Sequence, residues 1–175
     1  AAALLLAENP VITVNGNTTV LCPKEISLLA KTTGAKVEVN LFYRGEKRVR
    51  LIKKEFLKFG IKALGPAKKS AKRIPGLGSQ RKYAAEQGTW TADVILVMLE
   101  DGDRAEFLKK MGKFVIAIDL NPLSRTACAA DITIVDNITR AIPLLAEETG
   151  KMEKKPEKYL HRIINKYKNS ELLCK

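Results

Sequence analysis

Apolar positions along this chain follow two rhythms that alternate. Val11-Ile12-Thr13-Val14 is a short β-branched run closed by Asn15-Gly16-Asn17, which predicts a buried strand stopped by a turn. Pro23 suits the first position of a helix, Ile26, Leu29 and Ala30 give that helix an apolar stripe, and Gly34 ends it. The pair then repeats. Val37 to Phe42 reads as a strand, followed by a helix over roughly Lys47 to Phe59 with Val49, Ile52, Phe56 and Phe59 on one face and Gly60 as its stop. From about Leu64 to Thr91 the chain carries glycines and prolines among charges without a sustained period. That predicts a long loop of the kind that is functional or disordered. Order returns with Val94-Ile95-Leu96-Val97, a continuous apolar run expected of a strand covered on both faces. Asp103 and Glu106 have capping-box spacing, opening a helix with Phe107, Leu108 and Met111 inward and Gly112 as its stop. Phe114 to Ile118 and Ile132 to Val135 read as two more strands, with Ser124 capping a short helix between them. A last core helix runs from about Thr139 to Gly150, with Pro143 in its first turn or kinking it.

Strands alternating with helices require crossover connections, so the expected class is α/β: a Rossmann-like, mainly parallel sheet with helices on both faces. Residues 1–152 make up this domain. Residues 153–175 read as a basic helical tail with Tyr159, Ile163 and Tyr167 at helical spacing, which either lies on the surface or docks on the domain or a partner chain. Ala1 to Ala7 reads like the last turns of an apolar helix, so the chain is expected to be a fragment.

With 175 residues, 46% of them apolar, one domain can bury a sufficient core without metal or disulfide staples. Its apolar runs are far shorter than the roughly 20 residues of a membrane-spanning helix, and no secretory signal opens it, so a cytoplasmic protein is expected. Cys22, Cys128 and Cys174 have no CxxC spacing, which points to reduced thiols, at least two of them packing residues. The net charge of +12 raises the question of nucleic acid, but only Lys68, Lys69, Lys72 and Arg73 form a compact run, with a weaker one at Lys151, Lys154 and Lys155. Solvated surface is the preferred reading, and a positive field also favours anionic small substrates.

In sheets of this class ligands bind beyond the carboxyl ends of the strands. The strand ends here carry Asn15-Gly16-Asn17, then Asn40 with Tyr43-Arg44, Glu100-Asp101-Gly102-Asp103-Arg104, Asp119-Leu120-Asn121, and Asp136-Asn137. Any one of these is an ordinary turn; all five on one rim suggest a site. The sharpest stretch is Asp119 to Thr126: an aspartate at a strand end can accept from ribose hydroxyls, and Ser124, Arg125 and Thr126 open a helix whose free N–H groups favour phosphate. Neither GxGxxG nor a Walker GxxxxGK[ST] follows a strand. The single histidine, His161, lies in the tail, away from any nucleophile. Catalysis by positioning and charge is what remains, with Mg²⁺ as a partner.

Val14 to Asn17, Val37 to Arg44, Ile74 to Leu77, Leu99 to Arg104 and the run from Gly112 to Ile138 closely resemble the archaeal 4-phosphopantoate beta-alanine ligases, or phosphopantothenate synthetases, over about residues 1–150. The resemblance implies an ATP-dependent, AMP-forming ligase of coenzyme A biosynthesis that makes 4-phosphopantothenate through an acyl adenylate, typically as a homodimer. It places ATP on Asp119, Leu120, Asn121, Arg125, Thr126, Asn137 and Ile138. Asn15, Asn17, Asn40, Arg44, Asp101, Asp103 and Arg104 stay candidates for substrate or Mg²⁺ contacts on rim position and motif match. The sequence departs from the family in lacking a further N-terminal region with substrate-binding arginines, in Met98 where proline is frequent, and in its basic loop and tail. Two other readings stay open on residues alone: a non-catalytic nucleotide- or RNA-binding protein, and a nicotinamide oxidoreductase, which the absent glycine fingerprint weakens.

Overall fold

The computed structural model describes residues 1–65 and 71–173. The first half contains α1 (Ala2–Leu6), β1 (Val11–Val14), α2 (Gly16–Leu21), α3 (Pro23–Thr33), β2 (Lys36–Val39) and α4 (Glu46–Leu57), followed by the short strands β3 (Lys72–Arg73) and β4 (Tyr83–Ala84). Beyond them come β5 (Val94–Met98), α5 (Gly102–Lys110), β6 (Phe114–Asp119), α6 (Arg125–Ala129), β7 (Ile132–Val135), α7 (Ile138–Met152), α8 (Glu157–Lys166) and α9 (Asn169–Leu173). The main sheet has the order β2-β1-β5-β6-β7, and every pairing in it is parallel.

Strand alternation assigns its residues to two cores. On one face Ile12, Val14, Val37, Val39, Leu96, Met98, Ile116 and Ile118 pack with Leu4 of α1, Ile26 and Leu29 of α3, Phe56 of α4 and Ile142 of α7. On the other, Ile95, Val97, Val115 and Ala117 meet Leu108 of α5 together with Ile74, Leu77 and Ala84. A side chain as fully buried as Phe56 contributes on the order of 1.5–3 kcal/mol. The expected α/β class with helices on both faces is what forms. After β2 the chain returns past β1 to β5, so the strand order reverses between β1 and β5, and their carboxyl ends flank the crevice such folds use for ligands.

Several local expectations need correction. Asn15-Gly16-Asn17 opens a helix instead of forming a free turn: Asn15 Oδ1 accepts from the amides of Asn17 and Thr18, and Thr18 Oγ1 accepts from the Asn15 amide. The second strand stops at Val39, short of Phe42. Asp101, rather than Asp103, stands at the N-cap of α5. The 64–91 stretch is built where it is described, with a β3–β4 antiparallel pair, a 3₁₀ turn at Gln80–Lys82 and a π-type turn at Glu86–Trp90. Lys68 and Lys69 of the expected basic run lie outside the described residues, as does Cys174. Cys22 is buried and Cys128 exposed. Pro143 lies inside α7.

The tail docks, with its stripe shifted by one position. Leu160 is buried and Ile164 packs on the core, whereas Tyr159 is exposed. Tyr167 Oη donates to the Thr133 carbonyl at 3.1 Å, and Asn169 Oδ1 accepts from the Thr133 amide at 2.8 Å. The Asn169 amide group donates to the carbonyls of Ala127 and Ala130. The bonds at Thr133 cover that part of the free margin of β7, which would otherwise be open there. No helix among the described residues is long and apolar enough to cross a membrane.

Candidate active site at the switch point

The polar tips lie along one margin of the sheet because all five strands run the same way. Asn15 ties the crevice together: its Nδ2 donates to the carbonyls of Met98 (3.2 Å) and Leu99 (3.3 Å), joining the end of β1 to the end of β5. Leu99 has φ +51°, a left-handed conformation that costs a bulky residue about 1–2 kcal/mol. Asn17 is exposed on the first turn of α2. Asn40 continues the β2 ladder by donating its amide to the Val14 carbonyl, and its side chain is buried. Arg44 is half-buried just beyond, its pKa lowered by burial and supported by the charge of Glu38.

Arg104 is a correction. It is not a rim residue, because the phase of α5 turns it inward beside Leu108, four residues on, and it is wholly buried. Its Nη1 donates to Glu100 Oε2 at 2.6 Å and its Nη2 reaches Thr89 Oγ1 at 3.4 Å. Burial lowers its pKa to about 10, with Glu38 and then Asp101 opposing. Arg81 pairs with the other oxygen of Glu100, and its Nε lies 3.4 Å from Asp101 Oδ2. Glu38, also wholly buried, accepts from the amides of Ala85 (3.0 Å) and Thr89 (2.6 Å); burial raises its pKa, and those two amides together with Arg104 oppose the rise. Glu38, Arg81 and Thr89 are absent from the candidates that the sequence suggests, and Glu100 enters there only as part of a strand end, with no role of its own. One signal was available: a charged residue between Val37 and Val39 in a strand expected to be covered on both faces.

Asp103 and Glu106, expected to cap a helix, instead hold Arg125 at 2.6 and 2.9 Å, raising its pKa, with the Glu106 bond as the first cause. Helices α5 and α6 approach so closely that a Cβ on Gly102 would lie 2.4 Å from that of Arg125. Thr126 is buried and donates to the Glu100 carbonyl at 3.0 Å, so the third and fourth tips of the sheet share a floor. Asp119 accepts from the Asn121 amide and from Ser124 Oγ, and Asn121 Oδ1 accepts from the Leu123 amide, so this loop is held by its own side chains. Ser124 Oγ also takes the Ala127 amide, which leaves the five-residue α6 fewer free N–H groups than the sequence suggests. Leu120 is exposed. Asn137 caps α7 through Thr139, and Ile138 is buried with its carbonyl accepting from Cys22 Sγ.

The margin thus brings together Asn15, Asp101, Asp103, Arg125, Thr126 and the Asp119 loop, with Asn40 reaching them through Arg81. Thr126 and Ile138 act as floor, not as groups that face solvent. A groove of about 630 Å³ opens from Gly16 between α2 and α4, and one of about 560 Å³ lies between α4 and the 85–87 turn; Asp119, Arg125 and Asn137 line neither. Among the described residues no three carboxylate, histidine or cysteine side chains converge as a metal site.

The whole chain, residues 1–175, matches the family model described as phosphopantothenate/pantothenate synthetase. The chain belongs to this family. It is 54% identical over 174 residues to a protein of Thermococcus onnurineus named 4-phosphopantoate--beta-alanine ligase, covering 98% of this chain and 66% of the relative. A protein of the same name from Thermococcus kodakarensis is 53% identical with the same coverage, and one from Methanosarcina mazei is 49% identical over 98% of this chain and 67% of its own length. The chain therefore spans about two thirds of the length of these synthetase-family relatives.

Proposed function

We propose that this member of the synthetase family is the ligating domain of a 4-phosphopantoate beta-alanine ligase in coenzyme A biosynthesis, using ATP and releasing AMP and diphosphate. Support comes chiefly from the strand tips gathered at the reversal of strand order in a chain whose relatives carry that name. In the first step a carboxylate oxygen of 4-phosphopantoate attacks the α-phosphorus, and diphosphate leaves with the electron pair of the broken P–O bond. In the second, the beta-alanine nitrogen attacks the acyl carbon, the bond to AMP breaks, and the amine proton passes to solvent. No nucleophilic side chain is required, so the residues act by position and charge. Arg125 meets the phosphates, the Asp119–Asn121 loop holds the ribose, and Asn137 and Ile138 close the nucleotide end. A Mg²⁺ ion bound with the triphosphate would need only one or two protein carboxylates and would offset the charge of the phosphates. Asp101 suits that role, being half-exposed and making no cap bond to its own helix. A homodimer is part of the same reading.

AMP release from ATP, 4-phosphopantoate and beta-alanine tests it. In a full-length form with the N-terminal region restored, AMP release should depend on both organic substrates, and Asp119→Ala and Arg125→Ala should each lower the rate by about 10²-fold while unfolding cooperatively. Wild-type rates in both variants would sink the site assignment.

A further inference from the structure

Beyond Ile12 the ladder between the two strands that flank the crevice ends. β1 and β5 pair at Val11–Ile95 and Ile12–Leu96, whereas β1 stays paired with β2 as far as Val14 and β5 with β6 as far as Met98. Side chains take over from there. Thr13 Oγ1 donates to the Leu96 carbonyl at 3.2 Å, and Asn15 Nδ2 donates to the carbonyls of Met98 and Leu99 at 3.2 and 3.3 Å. A carboxamide has two N–H donors and an oxygen with two lone pairs. Asn15 uses all four, because its Oδ1 also takes the amides of Asn17 and Thr18 at 3.0 and 3.1 Å. Its backbone is engaged as well, the amide donating to Thr18 Oγ1 and the carbonyl accepting from Thr19 Oγ1. No capacity is left for a ligand.

The double grip accounts for the backbone of Leu99. Successive carbonyls of an extended strand point to opposite sides, so one amide group cannot meet two in a row. The φ of +51° at Leu99 brings the Met98 and Leu99 carbonyls to the same side, toward Asn15. The next carbonyl, that of Glu100, takes the Thr126 hydroxyl at 3.0 Å, one residue from Arg125. Three consecutive carbonyls at the tip of β5 are thus held from two sides, by β1 through Asn15 and by α6 through Thr126. We propose that Asn15 is a positioning residue of the ligase site and not a substrate contact: it keeps Leu99 left-handed and so sets the Glu100–Asp101 tip against Thr126 and Arg125. Its effect on rate rests on the ligase reading. Leucine returns to extended backbone once the grip is lost, because the left-handed form is sterically costly for it. The tip then shifts relative to Arg125, and a misplacement of about 1 Å costs about 10²-fold in rate.

Asn15→Ser isolates the grip. Serine caps a helix about as well as asparagine, so α2 keeps its start, but serine is shorter and has no amide to reach β5. In a full-length form with the N-terminal region restored, Asn15→Ser should lower kcat for AMP release by about 10²-fold while the KM values for ATP, 4-phosphopantoate and beta-alanine stay within about threefold. Adding Leu99→Gly should recover at least about tenfold of that loss, because glycine takes positive φ without support. A direct substrate contact predicts a raised KM and no recovery with glycine; either result overturns the proposal, as does a wild-type rate in Asn15→Ser. A further readout needs no variant. In the 175-residue chain the side-chain amide protons of Asn15, both bonded, should exchange with water at least about tenfold more slowly than those of exposed Asn17, and equal exchange overturns the proposal. The two readings fail separately. A full-length wild type that releases no AMP removes the ligase reading while the exchange measurement still decides the grip, whereas AMP release that Asn15→Ser leaves unchanged removes the role of Asn15 alone.

Discussion

Replacing Arg104 with methionine tests whether the buried charges beneath the crevice hold it together. Methionine fills much of the stem volume but removes the donor that Glu100 Oε2 meets at 2.6 Å and a positive charge that acts on Glu38. Removing one partner of a buried pair costs about 3–5 kcal/mol, because the other charge is stranded away from water. Here the lower end applies, about 3 kcal/mol, since Arg81 still neutralises Glu100 from its other oxygen. For a chain of this size each kcal/mol moves the melting midpoint by about 2–4 °C, so Arg104→Met should melt about 6–12 °C below wild type. Urea unfolding of wild type, Arg104→Met, Glu100→Gln and the double variant completes a cycle. Neutralising Glu100 should restore at least half of what the methionine loses, giving a coupling near 2 kcal/mol. A single variant within about 0.5 kcal/mol of wild type, or strictly additive losses, would refute the argument that the network carries net stability.

Glycine 88 leaves room for a carboxylate: a Cβ there would fall 2.1 Å from Glu38 Oε2, so Gly88→Ala should lower stability by about 2 kcal/mol or more in the same urea assay. Burial raises the Glu38 pKa, so the folded chain holds that proton more tightly than the unfolded chain; the contribution is full below the ordinary carboxylate value and is lost as pH rises through the folded value. The stability of Glu38→Gln relative to wild type should therefore improve as pH climbs upward from about 4.5, and a flat difference would contradict this. Asn169→Ala removes the bonds to Ala127, Ala130 and Thr133, and light scattering at elevated temperature should show faster self-association than Asn165→Ala on exposed α8.

The main sheet was legible because its strands are apolar runs set by burial on both faces, as in β5 and β6. The reading of one polar rim also follows from parallel topology alone. What stayed hidden depends on partners distant in sequence. The Glu86–Trp90 turn owes its shape to bonds from Ala85 and Thr89 to Glu38, 47 and 51 residues away, which no local periodicity announces. Arg104 was misplaced for a different reason. Its place next to Asp103 suggests the rim, while its spacing of four from Leu108 turns it toward the core, and helical phase decides. Asp103 and Glu106 looked like a cap because the attraction of Arg125, a residue of another helix, cannot be read from spacing.

The attachment of Ala85 and Thr89 to a single carboxylate has a consequence for hydrogen exchange. Because one side chain accepts from both amides, one oxygen for each, a single rotation of Glu38 uncovers the two together. An opening through that rotation exposes both anchoring protons to deuterium with one and the same opening free energy.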